Sequence, residues 1–349
     1  MGKTQRNSSI ELLKVVAVAM IVLSHAAAGG IEYILGLPSR VATAEIVNFG
    51  QIGNCLFFIA SAWFLCLSDK VKPVKAVKLV TEGILTSILC AAIVLLLGYQ
   101  LTKSEIILSS FPITYGYNWF VSCYLLIYLI HPYLNAVISS MKREQHFALI
   151  SLMIVIYGCI SVPLGGGKYY YTELIGFIII YFITAYLKLY HHDVKSLTLL
   201  KWFVFGFVAW QISTIAICIG GKPLWLNKFV NPCFMMIAFP LFLFVTEYHF
   251  TSKVINWLSS LSLMVYMLHN NKLVREVVET DFFQRMCEDA TNVTVYMAII
   301  LWFGITLLLS IALGGILHIL FSFSPFERTY NSITEGVENS INRLYKKTL

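Results

Sequence analysis

Ten separate runs of apolar residues divide this chain, each close to the roughly 20 residues an α-helix needs to cross about 30 Å of hydrocarbon. They fall at about 10–28, 46–67, 80–98, 119–138, 147–163, 171–189, 200–219, 230–247, 255–272 and 294–321. In lipid a backbone must satisfy its N–H and C=O groups internally, so helices are what such runs can become. Composition points the same way, with 58% of residues hydrophobic and 12% charged, where a soluble domain carries about 25% charged residues. The expected fold is all-α, a polytopic membrane protein of about ten transmembrane helices forming a single domain over 1–349, with a short cytoplasmic tail from about 323. No loop is long enough for a soluble domain, and no internal repeat, Gly-rich phosphate loop or low-complexity tract is present.

Charge fixes the expected orientation. With the N-terminus in the cytoplasm, sixteen of the 25 Lys and Arg residues fall in cytoplasmic segments, eight in outer loops, and Lys14 within the membrane. This obeys the positive-inside rule, and an even number of spans then puts both termini in the cytoplasm. The formal net charge of +7 follows from this anchoring and gives no reason to expect nucleic acid. Lys3, Arg6 and Ala26-Ala27-Ala28 imitate a signal peptide, but nine further spans and the Ser8-Ser9-Ile10-Glu11 stretch, which reads as a helix capping box, favour a retained first helix. Seven of the eight cysteines lie in apolar runs and none forms a CxxC pair, so neither a disulfide framework nor a metal site is expected.

The first run carries Lys14 near its start and His25 near its end. A charged group at membrane depth costs about 2.5–3.5 kcal/mol on insertion scales, so such residues mark functional paths more often than packing. Eleven residues separate the two, which is close to three helical turns and roughly 16 Å of axial rise, on nearly one face. Read blandly, Lys14 snorkels to the headgroups and His25 is a satisfied interfacial residue; their pairing argues for a site.

Three further concentrations stand out. Lys70, Lys72, Lys75 and Lys78 form a basic loop after the second run, either topogenic or a phosphate-binding patch, with Lys72, Lys75 and Lys78 spaced for one helical face. Asn118, Trp119, Tyr124, Tyr128, His131, Pro132 and Asn135 gather in the fourth run; Trp119 and Tyr117 fit an aromatic belt, whereas Pro132 frees a backbone carbonyl and a polar cavity is expected near His131. The ninth run ends in Tyr266-Met267-Leu268-His269-Asn270-Asn271, at a depth matching His25, which suggests one outward cavity shared by His25 and His269. His318 reads as interfacial, while His146, His191, His192 and His249 fall in loops and receive no role.

Together these residues resemble the acyltransferase-3 family of integral membrane acyltransferases. The resemblance rests on Ser9-Ile10-Glu11-Leu12-Leu13-Lys14, the ten residues between Lys14 and His25, the basic loop, Trp119-Phe120 with Tyr124 and Pro132, and Tyr266-Met267-Leu268-His269. It implies transfer of an acyl group, commonly acetyl from cytoplasmic acetyl-CoA, to a hydroxyl of an extracytoplasmic carbohydrate. His25 would match the essential histidine and Lys14 its basic partner, where the family more often has arginine; a lysine keeps the point charge and loses the bidentate fork. His269-Asn270-Asn271 and Arg275 look most like the exopolysaccharide-modifying branch, in which an Asp often stands at the place of Asn270.

The expected function is therefore a cell-membrane O-acetyltransferase with His25 and His269 as catalytic residues, and Lys14, Lys72, Lys75 and Lys78 on the donor. Asn118, Trp119, Tyr124 and Tyr266 are assigned to the substrate, with Asn118, Tyr124 and Tyr266 as candidate oxyanion donors. No permanently bound cofactor is expected; acetyl-CoA, a polysaccharide or lipid-linked glycan, and membrane lipids are the partners. His25 would act as general base or, alternatively, carry the acyl group itself. The competing class is a transporter or flippase for a surface polymer or small organic acid, using Lys14 and His25 as a proton or substrate path.

Overall fold

Asn7 opens the first helix: its side chain accepts the Ser9 N–H at 3.1 Å, so α1 runs Ser8–Gly30. The capping box expected at Ser8 and Glu11 does not form. Ser8 instead donates its hydroxyl to Asn256 at 2.9 Å, and Glu11 turns its carboxylate to Lys14 and Ser259, so both residues bond across to a later helix rather than to their own first turn. The computed structural model describes residues 7–68, 70–115, 118–161, 173–190, 195–221, 230–321, 328–329, 331–333 and 335–336. Lys3, Arg6, Tyr117, His191, His192 and most of the tail after 323 lie outside the described residues.

The remaining helices are α2 (Leu37–Leu65), α3 (Pro73–Leu96), α4 (Lys103–Ser109), α5 (Trp119–Ser140), α6 (Arg143–Met153), α7 (Glu173–Tyr190), α8 (Ser196–Ile219), α9 (Pro232–Thr246), α10 (Lys253–His269), α11 (Thr280–Cys287) and α12 (Asn292–Phe321). Pro38, Pro73 and Pro232 stand in first turns, where a missing N–H costs nothing. α6 continues as a π-helical stretch Ile154–Ser161, and a second such stretch, Val274–Glu279, leads into α11. No strand occurs among the described residues.

Eight of these helices are long and apolar enough to cross a membrane, counting α6 with its extension. The other two expected spans are shorter, α9 with 15 residues and α10 with 17. The second helix begins well before the apolar run that announced it, because Leu37–Ile46 is amphipathic and helical, and the ninth run ends at His269 instead of continuing to 272.

α1 is the central helix and packs against α2, α9, α10, α11 and α12. Its approach to α2 is close enough that a Cβ on Gly53 would lie 2.7 Å from the Ala17 carbonyl oxygen. Small residues permit this where lipid offers no hydrophobic drive for helix association. Ser24 donates to the Val47 carbonyl at 2.6 Å across the same seam. At its start α1 is tied to the turn between α9 and α10, since the Ser8 N–H donates to Phe250 O at 2.9 Å and the Ser9 hydroxyl to Tyr248 O at 2.6 Å.

Pro132 deprives the Tyr128 carbonyl of its helical partner, and the imidazole Nδ1 of His131 takes that place at 2.6 Å. His131 is thereby fully buried rather than facing the expected polar cavity, and its Nε2 has no hydrogen-bond partner. Asn135 on the same helix donates to Leu65 O at 3.0 Å and Ser68 O at 2.9 Å, fixing α5 to the end of α2. His146, read as a loop residue, lies in α6 fully buried, with Nε2 3.1 Å from Phe182 O and the rings of Phe182, Tyr186 and Tyr190 around it.

Candidate active site

α1 and α10 both end near the same level, and this brings His25 to His269. α10 stops at His269 because Asn270 leaves helical geometry, and Asn271 donates to Ser87 of α3 at 3.3 Å, pinning the turn. His25 Nδ1 lies 3.1 Å from His269 Nε2, with the two rings stacked 5.1 Å apart at 29°. His269 Nδ1 lies 2.9 Å from the Val265 carbonyl oxygen, an acceptor that obliges this nitrogen to carry the proton. In the neutral pair His269 Nε2 is then an acceptor and His25 Nδ1 the donor. Nε2 of His25 is left with a free lone pair. The tautomer chain, assigned from the hydrogen bonds, starts at a backbone carbonyl and ends at a base.

A cavity of about 590 Å³ opens at this level, and His25, Gly29, Trp119, Asn270, Arg275 and Glu279 are in its wall. The segment after α10 crosses over the end of α1 to form that wall. A Cβ on Gly29 would come within 2.6 Å of the Phe283 ring and 2.9 Å of Glu279 Oε1, so only glycine permits the crossing. Glu279 is 6% exposed, accepts the Trp302 indole N–H at 2.9 Å, and has Arg275 Nη2 3.8 Å from its other oxygen. Burial pushes the Glu279 carboxyl above the usual carboxylate range, while Arg275 and the indole N–H pull it back.

Lys14 lines a second cavity, about 270 Å³, nearer the other end of α1, together with Glu11, Phe57, Ser61, Phe120, Tyr124 and Ser259. Its Nζ is 2.9 Å from Glu11 Oε2, and the same oxygen accepts from Ser259. Lys14 therefore turns into the bundle instead of snorkelling. Between the two cavities stand Phe120 and Tyr266, both 1% exposed, with Tyr266 5.2 Å from Phe120 and 5.5 Å from the His269 ring, centroid to centroid.

A family model described as an acyltransferase domain matches residues 7–324. The chain belongs to the acyltransferase-3 family. It is a membrane acyltransferase, as the order of its motifs along α1, α5 and α10 leads one to expect. No curated protein and no solved structure matches it.

Within this acyltransferase the predicted residues separate into groups. His25, His269 and Trp119 meet at the larger cavity, and Lys14 and Tyr124 at the smaller. Tyr266 is buried between them, its phenol oxygen accepting the Asn270 amide at 3.1 Å. Asn118, the residue that precedes α5, is buried, and neither side-chain amide atom is hydrogen-bonded among the described residues. The basic loop is not part of either wall: Lys72 and Lys75 are exposed and Lys78 lies 3.6 Å from Glu82. The single helical face expected for Lys72, Lys75 and Lys78 is broken because α3 begins at Pro73, leaving Lys72 as the residue before it, its N–H donated to Tyr128 Oη at 3.0 Å. Sequence reasoning missed Glu279, Trp302, Ser259 and the role of Glu11. Only Glu11 carried a signal, as an acidic residue one turn before an intramembrane lysine.

Proposed function

We propose that the chain is an O-acetyltransferase of the cell membrane that moves an acetyl group from cytoplasmic acetyl-CoA to a hydroxyl of an extracytoplasmic or lipid-linked polysaccharide. The observation that carries this reading is the His25 to His269 hydrogen bond at 3.1 Å beside the larger cavity, because it leaves Nε2 unprotonated on a histidine that lines that cavity. Lys70 and Lys72 before α3, with Lys75 and Lys78 in its first turns, mark the cytoplasmic end by the positive-inside rule. The nucleotide of acetyl-CoA meets these lysines, and Lys14 takes a phosphate or the upper pantetheine, with Tyr124 beside it. The roughly 16 Å rise from Lys14 to His25 then suits an extended pantetheine arm that brings the thioester to His25.

His25 Nε2 takes the proton of the sugar hydroxyl as that oxygen bonds to the thioester carbon. The carbonyl oxygen becomes an oxyanion, for which Asn118 and Tyr266 are the proposed donors. The C–S bond then breaks, and the imidazolium returns its proton to the departing thiolate, giving the ester and free CoA. His269 Nε2 accepts the hydrogen bond from His25 Nδ1–H throughout and so holds the ring and stabilises its cation. Trp119 offers a flat face to the sugar.

The test is thioester loss from acetyl-CoA labelled in the acetyl group, with the protein in nanodiscs, comparing wild type with His25→Ala. Slow hydrolysis in wild type that vanishes in the variant supports donor and base in one site. Equal consumption by both proteins would overturn the role of His25, and no consumption by either would overturn acetyl-CoA as the donor.

A further inference from the structure

Glu279 is a charged side chain buried at the wall of the larger cavity, and packing does not require its charge. Its structural duty is to accept the Trp302 indole N–H through Oε2, which a neutral amide oxygen would perform equally. Burying a carboxylate costs free energy unless it is paired. The pairing here is incomplete: Arg275 Nη2 stands 3.8 Å from Oε1, beyond hydrogen-bond reach, and Arg275 Nε has no partner at all. Among the described residues Oε1 accepts no hydrogen bond. That oxygen lies over Gly29, one helical turn beyond His25, in the wall the two residues share. A carboxylate with one oxygen fixed and one open, in a cavity that Trp119 also lines, is a combination suited to a polar ring with apolar faces.

We propose that Glu279 anchors the acceptor: its Oε1 receives hydroxyl hydrogens of an uncharged sugar ring lying against Trp119, and so turns a neighbouring hydroxyl toward His25 Nε2. The uncharged class follows from the wall's own charge balance, since its two cations, Lys272 and Arg275, are matched by two carboxylates, Glu276 at 3.6 Å and Glu279 at 3.8 Å. Glu279 is a binding and positioning residue in this scheme, and His25 remains the base. The inference rests on the acetyl-transfer reading above.

Wild type, Glu279→Gln and Glu279→Asp in nanodiscs separate the two. Each is given labelled acetyl-CoA, first alone and then with a concentration series of methyl α-D-glucopyranoside or its glucuronate counterpart. Transfer is read against acceptor-independent thioester loss in each protein and should fall further than that loss in Glu279→Gln, and the glutamine variant should keep the melting temperature because it still accepts from Trp302. The KM for the glucoside should rise about tenfold or more in Glu279→Gln, the size expected when hydroxyls lose bonds to a charged group, with kcat little changed. Glu279→Asp, which withdraws the carboxylate by one methylene, should fall between. An unchanged KM, a fall in thioester loss that parallels the fall in transfer, or a lowered melting temperature would each overturn the anchor. Transfer to the glucuronate but not the glucoside would overturn the uncharged class, whereas absent thioester loss in wild type would fault the acetyl-CoA reading and not this one.

Discussion

The two cavities along α1 differ in how much is already arranged without a substrate. At the His25 end the hydrogen bonds run in one direction, from His25 Nδ1 to His269 Nε2 and from His269 Nδ1 to Val265 O, on a histidine that lines the larger cavity. At the Lys14 end the cation is already occupied by Glu11, which is itself held by Ser259, and Phe120 forms the wall toward His25. The chemical end is thus prepared, while the binding end must exchange partners before it can serve. On the proposed reading, a donor that carries more negative charge than one carboxylate, such as a diphosphate, has to displace Glu11 from Lys14.

The largest effect that would break this comparison is that of His25→Ala. Removing a general base should lower acetyl transfer by about 10²–10⁴-fold in a protein of normal abundance and melting temperature, at any donor concentration. Lys14→Ala should act differently, raising the donor KM roughly 10- to 100-fold, as for a lost charge-assisted bond, with kcat retained at saturation. Lys14→Arg should restore the donor KM. Steady-state kinetics in nanodiscs reads both constants. If Lys14→Ala instead lowers kcat as far as His25→Ala does, the two ends of α1 are not functionally distinct.

Much of this division was legible in the sequence, for a reason particular to helices in lipid. Lys14 and His25 share one helix, and a fixed rise per residue turns their spacing into a distance. His269 was legible because the ninth run ends at the same depth as His25. Glu279 and Trp302 were not, since their contact joins the segment before α11 to α12 across 23 positions with no periodicity between them. The capping box at Ser8 failed for a related reason: Asn256 and Ser259 on α10 offered the same side chains tertiary partners that local pattern cannot foresee. Lys72 was misassigned to a helical face because Pro73 starts the helix one residue later than the lysine spacing implied.

A smaller effect is expected between the two cavities. Phe120 touches Phe57, Phe177 and Tyr266, with ring centroids 5.5, 5.0 and 5.2 Å away, and lines the Lys14 cavity. A pantetheine arm extending along α1 has to move this ring. Phe120→Leu, which keeps most of the volume, should raise acceptor-independent hydrolysis of acetyl-CoA several-fold by easing that movement, and leave the donor KM near the wild-type value. Slower hydrolysis would show that Phe120 supports the thioester instead of obstructing it.

The smallest expected effect concerns what holds the prepared end in place. Tyr99, just after α3, donates its hydroxyl to Asp281 of α11 at 2.5 Å, and Arg285 Nε adds a bond to the other oxygen of the same carboxylate at 2.8 Å. These two contacts, the Tyr99 bond foremost, hold the Asp281 carboxyl below its usual range. A carboxyl whose pKa is lower in the folded protein contributes stability that is present above its unfolded value and is lost as pH falls through the folded one. Tyr99→Phe should therefore lower the melting temperature slightly at neutral pH, and the gap from wild type should close as the buffer is taken below the ordinary aspartate range. Tyr99 and Asp281 are only half-buried and Arg285 is exposed, so the effect is small and screened by salt. Its value lies in the second readout. α11 follows directly on Glu279, so a loosened Tyr99–Asp281 contact should raise the acceptor KM slightly while leaving the donor KM alone. An equal change in both constants would mean that this contact steadies the whole bundle and not the His25 end in particular.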